Sequence, residues 1–265
     1  MKKIRRPRSK KLQSKKVGMA PGSLVYVGKA TTAKPAISIF EYEGEQFSER
    51  TLTAADIAAL KPPTTGNLWL NVHGVHDAEL IKQISQAFSL HPLVMEDILN
   101  TDQRPKVDSY DNYLYIVSRC FYYDQAQMEI GSEQISLVLG RNFVLTFQEQ
   151  ATGSFEPVRE RMRADRAHIR ELGADYLAYA LLDVTVDRYF IVLEQMTDDC
   201  ELLEEELLRK PNNALLHNIH QLKHSSMELR RAVWPLREVI NGLIRNDGKF
   251  FAANTLPYLR DVYDH

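Results

Sequence analysis

The stretch HPLVMEDILNTDQRPKVD, residues 91–108, passes from helix to strand in one short span, and that change sets the fold. Pro92 suits a first helical turn, where its missing N–H has no intrahelical partner to lose. Leu93, Val94, Ile98 and Leu99 give the segment an apolar side, and Glu96 and Asp97 stand about 100° apart around the axis. Pro105 drives Arg104 out of helical geometry, so the chain turns before Lys106–Asp108. It then enters Tyr113–Tyr123, apolar and aromatic throughout, which reads as a central strand covered on both faces. Two acids beside a turn bind a hard cation, cap a neighbouring helix, or pair with Arg104 and Lys106. From these residues alone an ordinary surface salt bridge is the leading reading.

Working outward, Pro21-Gly22 forms a turn and Leu24–Val27 a short strand. Ala36–Tyr42 alternates and is turned by Glu43-Gly44-Glu45 into a hairpin with Gln46–Leu52. Thr53 caps a helix over Ala54–Leu60, ended by Pro62-Pro63. Leu68–Val72 reads as a buried strand, and Asp77–Phe88 as a helix from the spacing of Leu80, Ile81, Ile84 and Phe88. Downstream, Ile135–Leu139 and Phe143–Phe147 flank a Gly140-Arg141-Asn142 turn, and Phe155–Arg166 is a charged helix. Strands and helices in no strict βαβ order predict an α+β chain, a mixed β-sheet with helices packed on it.

From Ala174 the periodicity changes. Leu182, Val186, Tyr189, Leu193, Met196, Cys200, Leu203 and Leu207 step by four and three. After Pro211 and two asparagines the pattern resumes as Leu215, Ile219, Leu222, Ser226, Leu229, Val233, Leu236, Ile240 and Leu243. Two heptad helices joined so tightly pack as an antiparallel hairpin. The first is rich in acids (Asp183, Asp187, Glu194, Asp198) and the second in bases (Lys223, Arg230, Arg231, Arg237), which favours this pairing over self-pairing. Pro235 is expected to kink the second helix. Pro257–His265 starts another helix with Leu259 and Val262 unmatched, and it reads as the opening of a longer one.

The overall charge of −2 hides an asymmetry. Residues 1–16 hold nine Lys or Arg and no acid, leaving −11 on the remainder. Such an arm is either a contact for anionic lipid or a solvated tail. The acidic body is a poor nucleic-acid surface, because docking on phosphates needs clustered cations. The two cysteines, Cys120 and Cys200, are far apart, which excludes a disulfide scaffold and a Cys-based zinc site and suits a reducing compartment. No apolar run of membrane-spanning length occurs, and no apolar segment follows the basic start to make a secretory signal.

There is no G-x-G-x-x-G, G-x-x-x-x-G-K, G-x-S-x-G or H-E-x-x-H, so no enzyme is expected. His217, His220 and His224 share a helical face able to hold a transition metal, or are three exposed histidines off the seam. Asp183 and Asp187, one turn apart, share a cation or are neutralised by neighbouring bases such as Arg188. Asp261 lies in the first turns of the last helix, where the dipole favours an acid regardless of function.

Taken together, PGSLVY at 21–26, HPLVMEDILN and QRPKVD within 91–108, Glu133–Phe147, EPVRERMR at 156–163, Ala174–Leu193, LRRAVWPLREV at 229–239 and PYLRDVYDH at 257–265 resemble the cytosolic part of the CorA-type magnesium transporters. The family's two C-terminal membrane helices and the Gly-Met-Asn loop between them are absent from this sequence. The resemblance implies an α/β/α sandwich followed by the helical hairpin. On that footing residues 1–20 are a basic disordered tail, 21–172 the α/β/α regulatory domain, 173–248 the hairpin and 249–265 the start of a truncated stalk helix. It further implies a homopentameric channel at the cytoplasmic face of the cell inner membrane, reached through the missing helices. Mg²⁺, with Co²⁺ among other divalent ions, is the implied regulatory ligand, bound between subunits so as to favour the closed pore. The matching residues are Asp97 of one subunit and Asp261 of the next, with Glu96 and Asp183 at a second site nearby. Two other readings stand beside this one: the same domain of a zinc-transporting relative, for which the histidine face would matter, and a coiled-coil adaptor without metal function.

Overall fold

The structure, a computed structural model, describes residues 22, 24–28, 34–164, 168–210, 212–245 and 248–265. The basic arm, Pro211 and the start of the loop at 246–247 lie outside them. A seven-stranded sheet runs in the order β2-β1-β3-β7-β6-β5-β4. Its strands are β1 (Ala36–Glu43), β2 (Gln46–Leu52), β3 (Asn67–His73), β4 (Lys106–Ser109), β5 (Tyr113–Asp124), β6 (Glu129–Gly140) and β7 (Phe143–Gln148). Neighbours are antiparallel except β3 and β7, which are parallel.

Both faces of the sheet are covered, by different helices. Ile37, Ile39, Leu70, Tyr115, Val138 and Leu145 pack on one face against α2 (Ala78–Ala87) and α3 (Pro92–Leu99). The alternate residues Phe40, Trp69, Leu114, Ile116, Leu137 and Val144 pack on the other. There they meet α4 (Glu156–Arg163), α5 (His168–Glu171), α6 (Ala174–Arg209), α7 (Asn213–Ile244) and α8 (Leu256–Asp264). A further short helix, α1 (Ala54–Ile57), follows β2. The period-two pleat makes this two-sided core from near-continuous apolar runs. Trp69 anchors the second face: it stacks on Phe40 at 4.7 Å, meets Phe155 edge-on at 6.0 Å, and donates its Nε1–H to the Thr146 hydroxyl at 2.9 Å. The seven-stranded mixed sheet followed by long helices is the expected α+β architecture.

Several local expectations are corrected. Leu24–Val27 forms no strand; Val27 makes an isolated parallel bridge to Asn100. The helix after Thr53 stops at Ile57, well before Pro62. Strand β6 begins at Glu129, earlier than its apolar half announces, because its polar first half pairs with Phe121–Asp124 of β5. Strand β4 was unmarked by any apolar run, and it pairs with Leu114–Val117 at the sheet edge.

Helices α6 and α7 do form the long hairpin, about 54 and 48 Å at 1.5 Å per residue over 36 and 32 residues. The groove between them pairs Val186–Leu193 with Val233–Ile240 near the sheet, and Leu193–Leu207 with Ile219–Ser226 farther out, an antiparallel order. The seam on α7 departs from the heptad reading. Ile219, Ser226 and Val233 are exposed, whereas Ser225, Ala232 and Val239 are buried. The reason is that α7 also packs on β4, β5 and β6, which turns its small-residue side toward the strands. Helix α7 continues through Pro235. Among the described residues no ion pair joins α6 to α7; the pairs on the hairpin, Arg209–Glu205 and His224–Glu228, lie within one helix.

Candidate metal-binding carboxylates

Helix α3 opens with His91 as its cap, the Nδ1 accepting from the Leu93 N–H at 3.2 Å, and with Pro92 in its first turn. Its apolar residues Val94, Ile98 and Leu99 are buried, which leaves Glu96 and Asp97 half-buried at the rim. Glu96 Oε2 accepts the Gly22 N–H at 2.7 Å. Gly22 has φ +82°, and a Cβ there would come within 3.3 Å of the Pro92 ring, so glycine is what lets the chain approach that carboxylate.

Asp97 is held from several sides. Its Oδ2 receives the Lys106 ammonium at 2.6 Å, and its Oδ1 the Gln103 side-chain amide. Gln103 and Gln134 both donate to its backbone carbonyl at 3.1 Å. Lys106 is shared: its ammonium also lies 2.8 Å from Asp108 Oδ2 and 5.7 Å from the centre of the Tyr115 ring. Burial opposes the charge on Lys106, but hydrogen bonds to Asp108 and Asp97 outweigh it and hold the ammonium above its ordinary pKa. The salt bridge expected from the sequence is thus formed by Asp97 with Lys106, while Arg104 is exposed.

The second set of acids sits across the sheet on α6 and α8. One ligand atom each from Asp183, Asp187 and His265 gather within 4.8 Å of one another. Burial, and then repulsion from Asp187, raise the Asp183 carboxyl above its usual pKa; the Tyr179 hydroxyl, Arg161 and His265 offset part of this. Asp261, four residues before His265 along α8, is exposed. The sequence pointed to Asp183 and Asp187 as a pair and missed His265, which no local spacing ties to them. His217, His220 and His224 are all exposed and do not gather into a ligand group among the described residues.

Within one chain the two sets stay apart. Helix α3 packs on one face of the sheet, and α6 and α8 on the other. The set around Asp97 offers oxygen donors, which suit a hard ion that keeps most of its water. The set around Asp183 adds an imidazole nitrogen, which suits borderline ions such as Co²⁺ as well.

This fold is shared with the soluble domain of CorA from Methanocaldococcus jannaschii, with a TM-score of 0.71, 15% identity and coverage of 89% of both chains. It is shared also with the ZntB cytoplasmic domain from Vibrio parahaemolyticus, with a TM-score of 0.66, 12% identity and 86% of both chains. The class is therefore the α+β fold that these two domains share. The family model for CorA-like Mg²⁺ transporter proteins matches residues 65–265. The cobalt/magnesium transport protein CorA of Thermotoga maritima is 44% identical over 257 residues, 97% of this chain and 72% of that one. The chain belongs to the CorA-like Mg²⁺ transporter family, which is a family of transporters rather than enzymes. No helix among the described residues is long and apolar enough to cross a membrane.

Proposed function

We propose that this chain is the cytosolic, Mg²⁺-sensing part of a homopentameric CorA-like divalent-cation channel of the cell inner membrane. Residues 21–172 act as the regulatory domain, 173–248 as the hairpin and 249–265 as the first turns of the stalk. A divalent ion, Mg²⁺ or Co²⁺, is held between Asp97 of one subunit and Asp261 of the next, with Glu96 and Asp183 at a neighbouring site. The observation that carries this reading is the split of the acids: the set around Asp97 and the set on α6 and α8 cover opposite faces of one sheet, so joining them takes two chains.

The physics supports a sensor. Mg²⁺ is usually bound by only one or two carboxylates and retains several waters, so sparse half-exposed acids fit it. Facing carboxylates repel across an interface until an ion neutralises them. An ion that binds better to the closed ring shifts the ring toward closure, by linkage. Sufficient internal Mg²⁺ then shuts the pore, a negative feedback. Limited proteolysis with and without MgCl₂ tests the reading. Wild type is expected to gain protection, and Asp97→Ala and Asp261→Ala are each expected to lose it. Full protection in both variants rejects the assignment.

A further inference from the structure

Lys106 occupies the place at Asp97 that a cation would take. Its ammonium lies 2.6 Å from Asp97 Oδ2, with the two side chains 35% and 23% exposed. It is tethered on the edge strand β4, two residues from Asp108, whose Oδ2 is 2.8 Å from the same nitrogen. It therefore has a second carboxylate waiting on its own strand. The strand holds this geometry: Lys106 and Asp108 point to the same side of β4 by the period of two, and β4 is paired with β5. The Gln103 side-chain amide holds Asp97 Oδ1, and Gln103 and Gln134 both donate to the Asp97 backbone carbonyl, so the carboxylate is anchored on one oxygen while Lys106 takes the other.

We propose that Lys106 is a built-in counter-ion that sets the concentration at which a divalent cation binds Asp97. This rests on the cation-sensing reading above and adds a threshold to it. In the absence of the ion, Lys106 neutralises Asp97 and lowers its attraction for any other cation. When the ion arrives, Lys106 yields Asp97 and remains on Asp108, which spares it an unpaired, half-buried charge. Asp97 and Asp108 thus form two berths for one ammonium, and the divalent ion competes for the first. The device makes the free site tolerant of low cation levels without adding or removing a metal ligand.

The test is the Mg²⁺ midpoint of protease protection on the full chain, with MgCl₂ titrated at constant ionic strength. Lys106→Met keeps the length of the stem and removes the competitor, so its midpoint should fall about two- to fivefold, in the range of a partly exposed charge pair. Asp108→Asn leaves Lys106 in place but weakens its second berth, so that midpoint should rise. The opposite shifts distinguish competition from general loosening, and a matching titration by calorimetry on folded Asp108→Asn covers the event that Lys106→Met unfolds. A midpoint unchanged or raised in Lys106→Met, while Asp97→Ala abolishes the wild-type response, overturns the threshold role and leaves the sensor standing. Absence of any Mg²⁺ response in wild type, Lys106→Met and Asp108→Asn overturns both.

Discussion

His73, at the end of β3, carries a pH dependence that its neighbours define. Burial, and then the Arg159 guanidinium, lower its pKa from the ordinary 6.5 to about 4, and a hydrogen bond with Gln148 recovers only part of this. The folded state accordingly binds fewer protons than the unfolded chain between those values. Stability from this group is complete above about pH 6.5 and is lost as pH falls toward 4, by up to about 3 kcal/mol. Burial pushes the Glu133 carboxyl up against the hydrogen bonds from Thr152, Gln150 and Gln148, which pull it down, so it acts with the opposite sign just above its usual pKa. The comparison is therefore between variant and wild type: His73→Gln should flatten the change in urea midpoint between pH 7 and pH 5, and an unaltered slope would count against the buried neutral imidazole. Neither property could be read from residue type. By sequence His73 and Glu133 lie just outside the apolar runs Leu68–Val72 and Ile135–Leu139, and only the fold places both in strands, His73 half-buried and Glu133 buried.

At the scale of elements, the heptad pattern located α6 and α7 but mis-set one seam. A helix that packs on a single partner buries every third and fourth residue. Helix α7 has two partners, the other arm of the hairpin and the sheet, so its buried stripe shifts. Ser225 is the sharpest case: it is 3% exposed, and its hydroxyl accepts the Ile130 N–H at 3.2 Å while lying 3.4 Å from the Met128 carbonyl. Ser226, which the heptad places on the seam, is exposed. Ser225→Ala should cost about 1 kcal/mol by removing a part-buried hydrogen bond to the strand, and Ser226→Ala within about 0.5 kcal/mol. Chemical denaturation of both proteins decides the register, since the heptad register predicts the reverse order. The cap read from the sequence, Thr53, donates its N–H and hydroxyl to Asp56 Oδ2; two further caps went unread, Asp77 receiving the N–H groups of Glu79 and Leu80 and Asn212 those of Ala214 and Leu215.

For the whole molecule, the proposed cation site between chains makes assembly the quantity to measure. Light scattering on the chain in EDTA and in MgCl₂ should show a larger mass with Mg²⁺, and Asp97→Ala should remove the increase. Equal masses in both solutions for wild type would argue that the acids do not meet across chains. Phe190, Leu193, Val233 and Trp234 are 39–64% exposed along the hairpin, an apolar surface that a single chain leaves in water.

The sequence by itself determined the elements that obey local rules: the helix 92–99 with its proline start, the central apolar strand, the two long helices and the adjacent acids at 96 and 97. The family resemblance, too, was legible in stretches spread along the chain. The tertiary structure alone decided the strand order, the parallel pairing of β3 with β7, the edge strand at Lys106, and the shifted seam on α7. It alone gathered His265 with Asp183 and Asp187, chose Lys106 over Arg104 as the partner of Asp97, and gave Lys106 a second partner in Asp108. The difference is physical. Propensity, capping and periodicity act over a few residues and leave their mark in composition, whereas pairing partners and charge neighbours are chosen by long-range packing, for which a polar residue on an edge strand carries no local signal.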